Sequence, residues 1–215
     1  MSKTRFDLMV TLWPSFPHFP KFANDPRLSG IRLNSAMMSN PELDSELETI
    51  RKSQFTQPLF YDIKGRQLRI AEVIHNPAYL DIRLNHAIHV NTPTPVLFKA
   101  GEDHALLDRV EEDGRRLIFA GGPHYLVKAG ESLHIKDKSL VIYAPLFTPE
   151  ELIKIQKVVA AGFKRFFLSY VEDQSDIDQF QELVGRDSLI YLKIESKRGL
   201  EFVANRFKKK PNLIL

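Results

Sequence analysis

Three stretches of this 215-residue chain end an apolar run with polar or charged side chains two residues apart. Leu189-Ile190-Tyr191-Leu192-Lys193-Ile194-Glu195 ends in Lys193 and Glu195, and Gly30-Ile31-Arg32-Leu33-Asn34 ends in Arg32 and Asn34. Pro58-Leu59-Phe60-Tyr61-Asp62-Ile63-Lys64 ends in Asp62 and Lys64. Read as strands, each puts both members of its pair on one face, because strand side chains alternate. An ammonium, a guanidinium and carboxylates on one rim could grip a phosphate, ligate a hard cation and stabilise an oxyanion. One such pair is equally well a salt bridge at a strand end. Three pairs converging on one rim of one sheet are harder to explain that way.

The elements around these stretches alternate. A strand is expected over residues 6–12, then a loop with four prolines over 13–26 that is too broken for a long helix. After the strand at 30–34, Asn40-Pro41-Glu42-Leu43 opens a helix with Asn40 as cap and Leu43, Leu47 and Ile50 as its apolar stripe. The strand at 59–63 follows. Strand, connection, strand, helix, strand is the pattern of a parallel α/β sheet, whose strands are apolar on both faces. Such folds carry their chemistry at the carboxyl ends of the strands.

From about residue 67 to 143 the helical signal disappears. Short alternating runs are expected as strands at 67–73, 79–90, 96–98, 105–111, 115–120, 125–127 and 133–135, with Glu112-Asp113-Gly114 as a hairpin turn. Residues 70–140 read as a small antiparallel β-domain inserted in an α/β domain made of 1–69 and 141–215. Helices resume at Thr148-Pro149-Glu150-Glu151, with Leu152, Ile155, Val158 and Val159 facing the sheet and Gly162 as the stop. A strand at 166–169, a helix at 175–184 capped by Ser175 and Asp178, the strand at 189–195, a short helix at 196–205 and the start of a strand at 211–215 complete the order.

Composition narrows the classes. The hydrophobic share is 43%, enough for a sizeable core, and the net charge of +3 does not suggest a general nucleic-acid or membrane binder. There are no cysteines, so disulfides, thiolate metal sites and thiol nucleophiles are excluded. No apolar run approaches the roughly 18 residues of a membrane span. Residues 1–5 lead straight into a strand without a signal-peptide core, and a cytoplasmic location is expected.

The order Val10-Thr11-Leu12-Trp13-Pro14-Ser15, Ile31-Arg32-Leu33-Asn34 and Asp62-Ile63-Lys64-Gly65-Arg66-Gln67-Leu68-Arg69 resembles the N-terminal half of pyruvate kinase. So do Leu146-Phe147-Thr148-Pro149-Glu150-Glu151, Leu168-Ser169-Tyr170-Val171 and Leu192-Lys193-Ile194-Glu195-Ser196. Each motif is weak alone; their order and spacing across nearly the whole chain carry the resemblance. It implies a partial TIM (β/α) barrel, about the first six strands, with a β-domain inserted after the third. It also implies the family's glycolytic reaction, phosphoryl transfer between phosphoenolpyruvate and ADP to give pyruvate and ATP. By resemblance Lys193 is the catalytic cation beside the enolate, Glu195 a magnesium (or manganese) ligand, and Arg32 and Arg69 phosphate binders. Asn34 and Asp62 match two of the family's potassium ligands.

The sequence also departs from the family. A family serine is Ala36 here and a threonine is Ile63, so two oxygen donors are missing from the potassium site. The family's glycine-proline-glutamate reads Gly65-Arg66-Gln67, and an arginine is replaced by Glu172. The resemblance stops before the alanine-arginine-glycine-aspartate strand that supplies the second magnesium carboxylate. Two other functions are therefore carried alongside the kinase: a non-catalytic binding or regulatory relative, and a metal-dependent lyase or aldolase acting on a pyruvate-like enolate. The open sheet edges point to an oligomer or a further chain segment as partner, besides the substrates.

Several signals are set aside. His86 and His89 are three apart in an alternating run, hence on opposite faces. Ala120-Gly121-Gly122-Pro123 lacks the lysine and hydroxyl of a phosphate loop. Arg206 with Lys208, Lys209 and Lys210 reads as a solvated loop, and Trp13 as a packing residue. Ser169 reads as a polar strand-end residue, because no histidine is placed to activate it as a nucleophile.

Overall fold

The computed structural model of the chain describes residues 7–143 and 145–215. Residues 1–6, with the expected start of the first strand, lie outside them. The chain divides into two compact units, Met1–Gly65 with Pro149–Leu215, and Arg66–Thr148.

In chain order the first unit starts with β1 (Met9–Thr11), α1 (Phe19–Ala23), β2 (Gly30–Asn34), α2 (Asn40–Lys52) and β3 (Leu59–Ile63). The second unit holds β4 (Ile70–Ile74), β5 (Asp81–Leu84), β6 (Ala87–His89), β7 (Thr94–Phe98), β8 (Asp103–Glu111), β9 (Arg116–Phe119), β10 (Leu133–Ile135) and β11 (Val141–Tyr143). The first unit resumes with α3 (Pro149–Ala160), β12 (Arg165–Leu168), α4 (Gln174–Val184), β13 (Leu189–Leu192), α5 (Lys197–Asn205) and β14 (Leu213–Ile214).

The first unit is a mixed α/β layer. Its sheet runs β1-β2-β3-β12-β13-β14, and every pairing is parallel. Ile31 and Leu33 of β2, Phe166 and Leu168 of β12, and Ile190 of β13 are fully buried. Helix α2 packs on α3, and α3 on α4. Two capping boxes start these helices one or two residues earlier than the sequence suggests. Ser39, not Asn40, caps α2 with Glu42 as its reciprocal partner, and Asp173, not Ser175, caps α4 with Asp176. A cap is decided by which side chain meets the third backbone N–H, and neighbouring polar residues make that choice illegible in sequence. On α3, Ile155 and Val158 are fully buried as expected, while Leu152 and Val159 are half-buried. Lys154 takes an inward position on the same helix.

The second unit is an antiparallel sheet in the order β10-β7-β8-β9-β5-β4, with β6 and β11 pairing separately. Ile70 N–H donates to the carbonyl of Glu131 at 2.9 Å, and Leu133 N–H to that of Leu68 at 3.2 Å. A bridge between Arg69 and Ser132 joins the same two edges. The sheet thus turns back on itself and covers its own edge donors. Its core contains Ile82, Leu84, Val96, Phe98, Leu107, Leu117 and Phe119. The turn Glu112–Gly114 connects β8 to β9 and is left-handed at all three residues. Two expected strands differ. Residues 79–90 split into β5 and β6 around a buried His86. Residues 125–127 carry no ladder pairing: exposed Leu126 followed by buried Val127 imitates strand alternation without a strand beside it.

Among the described residues no helix is long and apolar enough to cross a membrane.

Candidate functional site

The parallel register stacks side chains from adjacent strands into rows across the sheet. Phe60, Phe167 and Tyr191 form one row, with ring centroids 4.9–5.6 Å apart. Two residues further along β3, and just past the ends of β12 and β13, come Asp62, Ser169 and Lys193. An aromatic floor therefore underlies a polar row at the carboxyl-terminal edge. β13 stops at Leu192, shorter than the run 189–195 expected from apolarity. The ladder ends there because its neighbour β12 ends at Leu168 and Tyr170 turns the chain through a left-handed φ of 55°. Pairing does not stop abruptly. Lys193 N–H still donates to the Leu168 carbonyl at 2.8 Å, and Val171 N–H to the Lys193 carbonyl at 3.2 Å.

Four of the side chains singled out in sequence meet here. Arg32 Nε donates to Asp62 Oδ2 at 2.6 Å, and a second guanidinium nitrogen also contacts that oxygen. Lys193 Nζ lies 3.3 and 3.2 Å from the two Asp62 oxygens and 3.8 Å from Glu195 Oε1. The Asp62 side chain is only 3% exposed, whereas Arg32 and Lys193 are 30% and 29% exposed. A buried carboxylate thus carries two cations whose outer sides face solvent. Glu195 Oε2 accepts the Tyr170 N–H at 3.2 Å.

Three further residues complete the row, among them Ser169, expected from sequence as a polar strand-end residue. Thr11 Oγ1 accepts from Arg32 at 2.9 Å. Ser169 Oγ accepts from Lys193 Nζ at 2.7 Å and donates to Asp62 Oδ1 at 3.3 Å. Tyr170 supplies the backbone donor to Glu195. Each stands at or just past the end of a strand.

The other expected site residues make contacts of their own. Asn34 Oδ1 accepts the Ala36 N–H at 3.1 Å and caps the short turn Ser35–Met37, so it serves its own loop. Lys64 adds its positive charge to that of Lys154 in lowering the Glu150 carboxyl at the start of α3. Arg69 belongs to the second unit, where it donates to Gln67 Oε1 at 3.0 and 2.6 Å and to the Gly130 carbonyl at 2.6 Å. Glu172 accepts from Ser196 Oγ at 2.7 Å and lies 3.8 Å from Arg198.

The donors fit the two expected metals unequally. Glu195 offers one hard carboxylate to a divalent ion, but no group of three His, Cys, Asp or Glu side chains among the described residues could hold a metal. Any divalent ion would need oxygens from a bound anion as well. The monovalent set fits worse: Asn34 caps its loop, Ala36 and Ile63 bring no side-chain oxygen, and Asp62 is already bound by two protein cations.

No family model matches the sequence. A curated pyruvate kinase of Methanocaldococcus jannaschii is 25% identical over 215 aligned residues, which cover 94% of this chain and 46% of that protein. Another, from Thermoplasma acidophilum, is 24% identical over 218 residues, covering 90% of this chain and 38% of that protein. The chain spans less than half the length of the curated relatives it matches. Agreement over nearly all of this chain with two curated pyruvate kinases supports its relationship to the pyruvate kinase family.

Proposed function

We propose that this chain carries part of a pyruvate kinase-like phosphotransferase site, built on an arc of a TIM barrel. The observation that supports this most is the row Arg32, Asp62, Ser169, Lys193 and Glu195 at the carboxyl-terminal edge of an all-parallel sheet. In this reading the phosphorus–oxygen bond of phosphoenolpyruvate breaks as the terminal phosphate oxygen of ADP bonds to phosphorus. The electron pair stays on the enolate oxygen, and a proton added at carbon 3 gives pyruvate. Lys193 places its ammonium beside the oxygen that gains charge. Arg32 holds phosphate through its exposed guanidinium edge. Glu195 would hold magnesium, which would supply positive charge against that of the phosphate.

The second reading, a non-catalytic relative that binds a pyruvate-like dianion, is favoured by the shared Asp62. That carboxylate already balances much of the positive charge meant for substrate. Both readings expect the 215-residue chain to bind oxalate with Mn²⁺ or Mg²⁺ in place of the enolate. Lys193→Ala and Glu195→Ala should each weaken that binding by about 10–100-fold, the loss of one charge-assisted contact. Calorimetry in oxalate measures it, and a coupled assay with phosphoenolpyruvate and ADP separates the readings. Slow turnover lost in both variants supports the kinase, and binding without turnover supports the relative. Fast turnover that survives both substitutions would sink the site assignment.

A further inference from the structure

We infer that Arg32 and Lys193 act as internal counter-ions of Asp62, so that no monovalent metal cation binds at this carboxylate. Oδ2 receives Arg32 Nε at 2.6 Å and Lys193 Nζ at 3.2 Å. Oδ1 receives Ser169 Oγ and Lys193 Nζ, both at 3.3 Å. A carboxylate offers about four lone-pair positions, and these contacts, with the second Arg32 nitrogen on Oδ2, take them up. A potassium ion needs several oxygens at once. Asn34 Oδ1 is engaged with Ala36 N–H, and neither Ala36 nor Ile63 can replace it. A metal cation at Asp62 would also be a third positive charge around one buried carboxylate, with the other two held in place by hydrogen bonds. This arrangement puts the protein's own ammonium and guanidinium where a dissolved ion would otherwise be recruited. The inference stands on the geometry at Asp62 and does not depend on turnover.

The experiment compares thermal unfolding of the 215-residue chain in KCl and in tetramethylammonium chloride at equal ionic strength. A cation present at ten times its Kd would raise the midpoint by roughly 3–6 °C. The wild-type chain is expected to melt at the same temperature in both salts, and thallous ion, a potassium surrogate, should show no line broadening with it. Lys193→Met removes the ammonium while keeping the side chain's length. That variant should melt several degrees lower in both salts, because the buried carboxylate keeps one counter-ion only and the oxygens a potassium ion needs are still missing. A potassium-specific rise in the wild type that Asp62→Asn removes would overturn the inference. So would a folded Lys193→Met whose midpoint is unchanged in both salts, since the ammonium would then contribute nothing at Asp62. If Lys193→Met does not fold, the wild-type salt comparison and the thallium spectrum decide alone. Neither readout uses phosphoenolpyruvate or ADP, so failure of the proposed kinase reading would leave the result unchanged.

Discussion

Lys154 is a cation that hydropathy alone would put in solvent, yet its side chain is 2% exposed. Its ammonium donates to the Met38 carbonyl at 2.5 Å, lies 3.4 Å from the Ser35 carbonyl and pairs with Glu150 at 2.7 Å. The Glu150 carboxyl is held below the usual carboxylate range chiefly by this bond. Lys154 thus ties α3 to the loop that leaves β2 just after Arg32 and Asn34. Lys154→Met keeps the apolar stem but leaves two loop carbonyls without this donor. It should cost about 1–3 kcal/mol in urea unfolding. Asp81 makes the comparable contact in the second unit: 1% exposed, it takes both forks of Arg116 at 2.9 and 2.6 Å. Asp81→Ala leaves that guanidinium a quarter exposed and without its main partner, for an expected loss of about 2–3 kcal/mol, below the fully buried range because Arg116 reaches water.

Helix α5 shows how an element depends on one atom. Ser196 caps it by accepting the Gly199 N–H at 3.0 Å while donating to Glu172. A Cβ on Gly199 would lie 2.5 Å from the Val171 carbonyl, a backbone group that cannot move without shifting the Ser169–Tyr170 turn. Gly199→Ala is therefore expected to destabilise the chain by about 1–3 kcal/mol, although alanine favours helices elsewhere. The same change should weaken oxalate binding more than Lys154→Met does, because Tyr170 N–H holds Glu195. Calorimetry on both variants checks the order. Helix α2 is held by the Ser39–Glu42 capping box, whose backbone and side-chain hydrogen bonds hold the Glu42 carboxyl low.

Across the whole molecule, Asp25, Glu42, Glu48, Glu112, Asp137, Glu150 and Asp187 all sit below their ordinary values, Asp25 at about 2. A carboxylate with a depressed folded-state pKa binds fewer protons folded than unfolded. Its stabilisation is thus present above the unfolded value and lost as pH falls through the folded one. The melting temperature should hold near neutrality and fall as pH drops from about 5 towards 2. High salt should shrink that fall, since most of these pairs are exposed. A flat profile in calorimetric scans would contradict it. The second unit has its own core and joined sheet edges, so residues 66–148 expressed alone should melt cooperatively with a β-type circular dichroism spectrum.

The sequence by itself determined most element types and the apolar strands with a polar terminus, because both follow from local periodicity and from glycine, proline and capping residues. It also singled out Arg32, Asp62, Lys193 and Glu195, since charge at the end of an apolar run is visible without a fold. It marked the change of pattern near residue 67 and the return of helices at Thr148. Tertiary structure alone decided who partners whom. Asn34 and Lys64 had the same spacing signal, yet one caps its own turn and the other acts on Glu150. Ser169, Thr11 and the Tyr170 backbone entered the row because parallel register aligns strand ends far apart in the chain. Burial of Lys154 and the close approach at Gly199 were equally invisible, for each depends on a neighbour reached only through packing.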